Sequence, residues 1–182
     1  MSLVSPLYYW ERVYTPQEVK KINKCLAKDF ATGDFQKGAE DVVKTSKVRG
    51  VSWGKSKKYL QSFYDRILLR NDHVFGFKLF PLTDYEYLLH NTYEKGKEYQ
   101  WHFDGNKLSP SDIKITALLN LSSSPYKGGG LEIAASNPVS VPELNEPGIM
   151  VMFPSFFLHR VTPIVEGTRT SLALLLTGPK LV

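Results

Sequence analysis

Cysteine is almost absent from this chain: Cys25 is the only one in 182 residues. That excludes an internal disulfide and any zinc cluster built from cysteines. Long hydrophobic runs are missing too, and no window approaches the roughly 18 consecutive apolar residues of a membrane-spanning helix. The opening residues Met1 to Pro6 lack the charged and apolar regions of a secretory signal. No internal repeat or low-complexity tract is present. With 42% hydrophobic, 13% aromatic and 23% charged residues, the composition excludes disorder, collagen-like repeats and coiled coil. The expectation is one domain over residues 1–182, soluble and cytoplasmic, with no membrane partner. Such a chain buries about 70% of its unfolded surface, enough for a core without staples.

Charge is unevenly spread. Residues 1–70 hold 14 Lys/Arg against 7 Asp/Glu, and residues 71–182 hold 9 against 11. The net charge of +5 therefore belongs to the first part. Such asymmetry can mark a nucleic-acid or acidic partner. The lysines also recur at helical spacing beside apolar residues, which reads as a solvated helix face.

Residues 1–72 read as helical with short extended pieces. Thr15-Pro16-Gln17-Glu18 is a capping box with proline in the first turn. Val19, Ile22, Leu26 and Phe30 then form one apolar stripe to about residue 30. Cys25 lies near that stripe and reads as a buried, inert thiol. A second helix fits 56–71 through Leu60, Phe63, Tyr64, Ile67 and Leu68. Lys55, Lys57 and Lys58 sit at its start, where cations oppose the helix dipole; a ligand-facing role for them stays open. Loops are expected at 31–47 and 104–112, flanking the open side of the core and closing over substrate. From residue 73 the texture changes to strands, near 73–80, 84–93, 97–104, 113–121, 130–134, 149–153, 157–163 and 168–177, separated by Gly, Pro and Asn turns. The fold class is mainly β with N-terminal helices (α+β), a sandwich or barrel over about 73–179.

His102-Phe103-Asp104 places an imidazole and a carboxylate two apart, on one side of a strand. Alone this is a weak signal. His159 follows 57 residues later, and Arg169 opens a strand ten residues beyond it. Two histidines and a carboxylate on one face of an octahedral metal leave three positions open, the donor set of non-haem Fe(II) oxygenases. An arginine inside an apolar strand needs a counter-charge, and the far carboxylate of a dicarboxylic cosubstrate offers one. His73, after Asn71-Asp72 at the end of a helix where a cation or cap fits, and His90, with no carboxylate two residues away, read as structural. Tyr99, Trp101 and Phe103 alternate with the ligands, so they are expected to face away from the metal and pack against the helices.

The residues resemble the 2-oxoglutarate- and Fe(II)-dependent dioxygenases, in particular the prolyl-4-hydroxylase-like branch. Tyr93 through Asp104 follows that branch's Tyr, Gly, Tyr, His-x-Asp order. Gly128-Gly129-Gly130-Leu131 matches its Gly-Gly-x-Leu turn, and Phe153-Pro154-Ser155 through Arg169 matches its distal histidine motif. The resemblance implies a double-stranded β-helix (jelly-roll) core, with Fe(II) held by His102, Asp104 and His159. It implies 2-oxoglutarate paired with Arg169 and reached by Tyr93 and Asn120, with O2 consumed and ascorbate as a reductant. Ser171, on the strand face of Arg169, can add a hydrogen bond. Leu175 stands where relatives have tryptophan.

The implied activity is hydroxylation of a C–H bond in a small-molecule or peptidyl substrate, prolyl or amino-acid-like. A nucleic-acid demethylase on the same metal centre is the enzymatic alternative, although relatives of that kind carry a second arginine six residues after the first, where this chain has Leu175. A non-catalytic β-barrel binding module is the other. Halogenation conflicts with the presence of Asp104.

Overall fold

The computed structural model describes residues 7–28, 44–105, 111–134 and 136–180. In chain order the elements are strand β1 (Tyr9–Arg12), helix α1 (Pro16–Leu26), strand β2 (Lys47–Ser52), helix α2 (Trp53–Arg70) and a π turn at Asn71–Phe75. Strands β3 (Tyr87–Tyr93), β4 (Tyr99–His102), β5 (Asp112–Asn120), β6 (Lys127–Gly128), β7 (Leu131–Ala134) and β8 (Pro138–Val141) follow. After a 3-10 turn at Pro142–Asn145 come β9 (Ile149–Pro154), β10 (His159–Val161), β11 (Ile164–Glu166) and β12 (Arg169–Gly178). Among the described residues no helix is long and apolar enough to cross a membrane.

The capping box forms as its sequence predicts. Glu18 N donates to Thr15 Oγ1 at 3.3 Å, and Thr15 N donates back to the Glu18 carboxylate at 2.8 Å. The helix spans Pro16–Leu26 with Ala27 as its C-cap, and Phe30, expected to end its stripe, lies outside the described residues. Helix α2 starts at Trp53 rather than at 56, and Ser56 Oγ donates to Ser52 O at 2.7 Å. The cations of its first turn face solvent, and Lys57 pairs with Asp84 at 2.9 Å, which offsets their poor place on the dipole.

A six-stranded sheet in the order β1-β9-β5-β12-β3-β2 faces a four-stranded sheet in the order β4-β10-β7-β8, forming the jelly-roll core. The chain before residue 72 thus supplies two helices and both edge strands of the larger sheet. Strand alternation divides the apolar residues of that sheet between two cores. Ile115, Ala117 and Leu119 of β5, Met150 and Met152 of β9, and Leu172, Leu174 and Leu176 of β12 pack against Val19, Ile22, Leu60, Phe63 and Ile67 of the helices. Their neighbours Leu118, Val151, Phe153 and Ala173 point inward, against Leu131 and Ile133 of the smaller sheet. The near-continuous apolar runs of β5, β9 and β12 follow from burial on both faces.

The strand expected at 73–80 is not there. His73, Val74 and Phe75 extend the helix as a π turn, which Gly76 ends with φ +68°. The residues after it run without regular structure. Asn71 explains this, because its side-chain amide makes both backbone bonds a strand partner would make with Phe77, at 2.8 and 3.1 Å. The strands β1, β2, β6, β8 and β11, not expected individually, are short, and β1, β2 and β8 lie at sheet edges. Residues 31–43 and 106–110 of the two expected loops lie outside the described residues.

Candidate metal centre

His102 ends β4 and His159 begins β10, and the antiparallel pairing sets the two directly opposite each other. Asp104 follows two residues on, fixed by Asp104 N donating to Ser155 O at 3.2 Å. The strand pairing therefore brings the ligand candidates together. One donor atom from each of the three residues lies within 4.8 Å of the others, and His159 Nε2 is 3.4 Å from the Asp104 carboxylate.

The histidines are set up as ligands. His102 Nδ1 lies 2.7 Å from Gln100 O and His159 Nδ1 2.9 Å from Phe157 O. A carbonyl only accepts, so each Nδ1 carries a proton, and each Nε2, on the side of Asp104, is the nitrogen left to serve as a metal donor. Tyr99 stacks on His102 with 3.4 Å between ring centres, and Phe153 meets His159 edge-on at 4.7 Å. Burial, and then the charge of His159, push His102 down to about 4. Burial works against ionisation of Asp104, but hydrogen bonding and charge at His159, the Thr116 hydroxyl and His102 outweigh it and hold the carboxyl below its ordinary range. At neutral pH His102 is thus a neutral imidazole and Asp104 a carboxylate, the states in which these groups bind a divalent metal.

Thr116, from the inward face of β5, donates to Asp104 at 2.6 Å and contacts Ser155 Oγ at 3.1 Å. A Thr116→Val substitution keeps the volume and removes that donor. Fe(II) affinity is expected to fall about 10- to 100-fold with the fold intact, as for other outer-shell partners. Anaerobic Fe(II) titration checks this; wild-type affinity in the variant would contradict it.

A cavity of about 240 Å³ opens over the three donors. Its far wall is Arg169, the first residue of β12 and only 1% exposed. Arg169 Nη1 donates to Ser171 Oγ at 3.2 Å, while its buried Nη2 has no hydrogen-bond partner among the described residues. Gly129, at φ +65°, makes room for the side chain: a Cβ there would come within 3.0 Å of Arg169 Cδ. Tyr93 pairs with Arg169 across β3 and β12, its ring 5.4 Å from the guanidinium carbon. Burial pushes the Tyr93 phenol up, against the Arg169 charge, so it stays a neutral donor. Leu118, Val161, Ala173 and Leu175 make the wall apolar.

These residues fit an iron and an anionic cosubstrate. The donors are two imidazoles and one carboxylate, and a guanidinium nitrogen buried without a partner calls for a carboxylate to complete it.

Asn120 lies elsewhere. It is fully buried, donates to Tyr126 Oη at 3.1 Å and Leu144 O at 2.7 Å, and accepts from Ser122 N at 2.8 Å. With its amide used by the protein and away from the cavity wall, it braces the end of β5 instead of reaching a cosubstrate. His73 lies in the π turn after α2, and His90 points from β3 toward the helix side, opposite Tyr93.

The expectation for the aromatics needs correction. Trp101 faces away from the metal donors but stacks under Arg160, 4.8 Å away, on the outside of the smaller sheet rather than against the helices. Tyr99 lines the cavity, and Phe103, 62% exposed, stands at its mouth. Strict alternation fails because the pairing of β4 with β10 slips between His159 and Val161.

Sequence reading also missed Thr116 and Lys44. Thr116 had a signal: a polar residue at the inward positions of an apolar strand. Lys44 had none, because it reaches the cavity only through a bridge to Tyr99. Burial pushes its ammonium down to about 8, against the pull of Asp104.

Burial also pushes His90 down to about 4, with the Arg49 charge adding to it. The unfolded chain takes up these protons near pH 6.5, whereas folded His90 and His102 wait until about 4. Between those values the unfolded state holds more protons, so stability is lost as pH falls. The metal-free protein is expected to lose up to about 1.4 kcal/mol per pH unit for each histidine in that window. A melting temperature that stays level from pH 6.5 to 4.5 would contradict their neutral burial.

Residues 88–176 match the model of the 2OG-Fe(II) oxygenase superfamily. A PKHD-type hydroxylase of Thermosynechococcus vestitus is 30% identical over 166 residues, covering 87% of this chain and 72% of that protein. One from Rippkaea orientalis is 32% identical over 122 residues, and the match spans 64% of this chain and about half, 51%, of that protein. Among solved structures, a Pseudomonas putida prolyl-4-hydroxylase superposes with a TM-score of 0.70 at 17% identity, covering 98% of this chain and 96% of that one. The viral collagen prolyl hydroxylase of Paramecium Bursaria Chlorella virus-1 gives 0.69 at 14%, covering 98% and 99%.

Proposed function

Because the chain belongs to the 2OG-Fe(II) oxygenase superfamily, as a 2-oxoglutarate-dependent hydroxylase related to the PKHD-type enzymes, we propose that it hydroxylates a prolyl or amino-acid-like substrate at the centre formed by His102, Asp104 and His159. One juxtaposition carries this reading: three metal-donor atoms within 4.8 Å of one another share a cavity with the partnerless guanidinium nitrogen of Arg169.

When bound, Fe(II) and 2-oxoglutarate supply the oxidising power: O2 and 2-oxoglutarate are consumed, succinate and carbon dioxide leave, and a C–H bond becomes C–OH. The chain's own part is to hold and orient. His102 and His159 offer Nε2 because their other ring nitrogens are tied to carbonyls. Asp104 is turned toward them by Thr116 and by its own backbone bond to Ser155. Arg169 and Ser171 receive the far carboxylate of the cosubstrate, with the Tyr93 phenol beside them. Leu118, Val161, Ala173 and Leu175 keep water off the reacting centre, where fixed charges act most strongly. A prolyl substrate is supported by the jelly roll shared with the Pseudomonas putida and viral prolyl hydroxylases. The nucleic-acid alternative finds little support: Leu175 lines the wall, and Lys57 is engaged by Asp84.

The test needs no known substrate. Fe(II) and then 2-oxoglutarate are added without oxygen, and the weak visible charge-transfer band of an iron-bound keto acid is sought. Its appearance, followed by oxygen-dependent succinate release that prolyl peptides or free proline accelerate, supports the reading. Folded protein with no band refutes it, and the binding-module alternative takes its place.

A further inference from the structure

Among the described residues, Lys44 is the cation of this cavity that the chemistry above leaves unused. Its backbone is bridged to Tyr99, and its ammonium lies 4.7 Å from the centre of the Tyr99 ring. The same ring stacks on His102. Lys44 is half-buried, lines the cavity with Asp104 and Arg169, and forms no ion pair among the described residues. The exposed ring of Phe103 stands at the same mouth.

Among the described residues the charges of the cavity are out of balance by one: its walls carry two cations, Lys44 and Arg169, and one anion, Asp104. A divalent iron and a dianionic 2-oxoglutarate cancel each other, so loading the site leaves the surplus positive charge in place. Arg169 lies on the far wall and takes the cosubstrate, while Lys44 remains on the side of Tyr99 and His102. Holding an ammonium partly out of water without a counter-charge is costly. A carboxylate arriving with the last component to bind would remove that cost.

On the cofactor reading of the preceding subsection, we propose that Lys44 recognises a carboxylate on the primary substrate, close to the carbon that is hydroxylated. The substrate is then a free amino acid, or a peptide whose reacting residue is C-terminal or adjoins an acidic one. The apolar part of that residue lies against Phe103 and the aliphatic wall. Specificity of this kind is strong, because a matched amide leaves the ammonium unpaired.

The test uses the full chain loaded anaerobically with Fe(II) and 2-oxoglutarate, with the keto-acid band as the signal. Three acid and amide pairs are titrated: L-proline and L-prolinamide, acetyl-Ala-Pro and its C-terminal amide, and acetyl-Pro-Glu-amide and acetyl-Pro-Gln-amide. The wild type is expected to bind the acid of at least one pair about tenfold or more tightly than its partner, the scale of a charge-assisted hydrogen bond. The discriminating pair identifies where the carboxylate resides. Lys44→Gln should erase the preference while leaving Fe(II) and 2-oxoglutarate affinity within about threefold, and Lys44→Arg should keep most of it. Equal binding of acid and amide by the wild type overturns the proposal, as does failure to bind any of the acids. A Lys44→Gln variant that loses affinity for 2-oxoglutarate itself also overturns it, since Lys44 would then serve the cosubstrate. No band in the wild type overturns the cofactor reading and this inference together; a band without carboxylate preference overturns this inference alone.

Discussion

An Asp104→Ala variant is expected to lose turnover completely and to weaken Fe(II) binding by more than about 100-fold, beyond the range for outer-shell substitutions. Asp104 is the only anionic donor of the trio, because an imidazole ligand brings no negative charge. Removing it takes away the charge that neutralises half of a divalent ion and the third point that fixes its position. The loss should be chemical rather than structural. Asp104 lies beyond the end of β4, and its backbone bond to Ser155 O survives the substitution. Thr116 loses its acceptor but keeps Ser155 Oγ at 3.1 Å. Anaerobic Fe(II) titration with a melting curve separates the two effects. Near-wild-type iron affinity in a folded variant would show that the metal, if bound, is held elsewhere.

Removing the charge at Arg169 is expected to weaken 2-oxoglutarate about 10- to 150-fold, the range of 1.5–3 kcal/mol for a charge-assisted contact. Iron should still bind. Arg169→Ala would also open a void, since this is among the largest fully buried side chains of the protein. Arg169→Met fills most of that volume and serves as the cleaner variant. The void and the charge can be told apart: lost packing lowers the melting temperature, whereas lost charge shifts only the cosubstrate titration. Arg169→Lys should recover part of the affinity as a point charge without the planar fork. Unchanged 2-oxoglutarate affinity in Arg169→Met would refute the role given to this residue.

Much of the site was legible because its signals are local or chemically unusual. The capping box at Thr15 is a four-residue pattern that depends on nothing distant, and it formed as read. His102-x-Asp104 keeps its meaning in any strand that ends there. Arg169 stood out because a charge inside an apolar strand has few physical justifications. Where a local signal was outcompeted, the reading failed. His73 to Phe77 is rich in β-forming residues, but the Asn71 side chain takes both backbone groups of Phe77 and leaves no edge to pair. Asn120 carries the polarity of a ligand-binding residue, yet Tyr126, Leu144 and Ser122 use its amide.

By itself, then, the sequence determined the helix start, the order of the metal-donor residues, the buried cation and the strand character of the runs that become β5, β9 and β12. These depend on spacing along one segment and on side-chain chemistry. Only the tertiary structure decided that Thr116 steers Asp104, that Tyr99 stacks on His102, and that Lys44 shares the cavity with Arg169. The first and last are meetings of separate segments, and the second depends on the irregular path of β4. Their geometry depends on strand register, including the slip between β4 and β10, and a one-residue change of register turns a side chain to the opposite face.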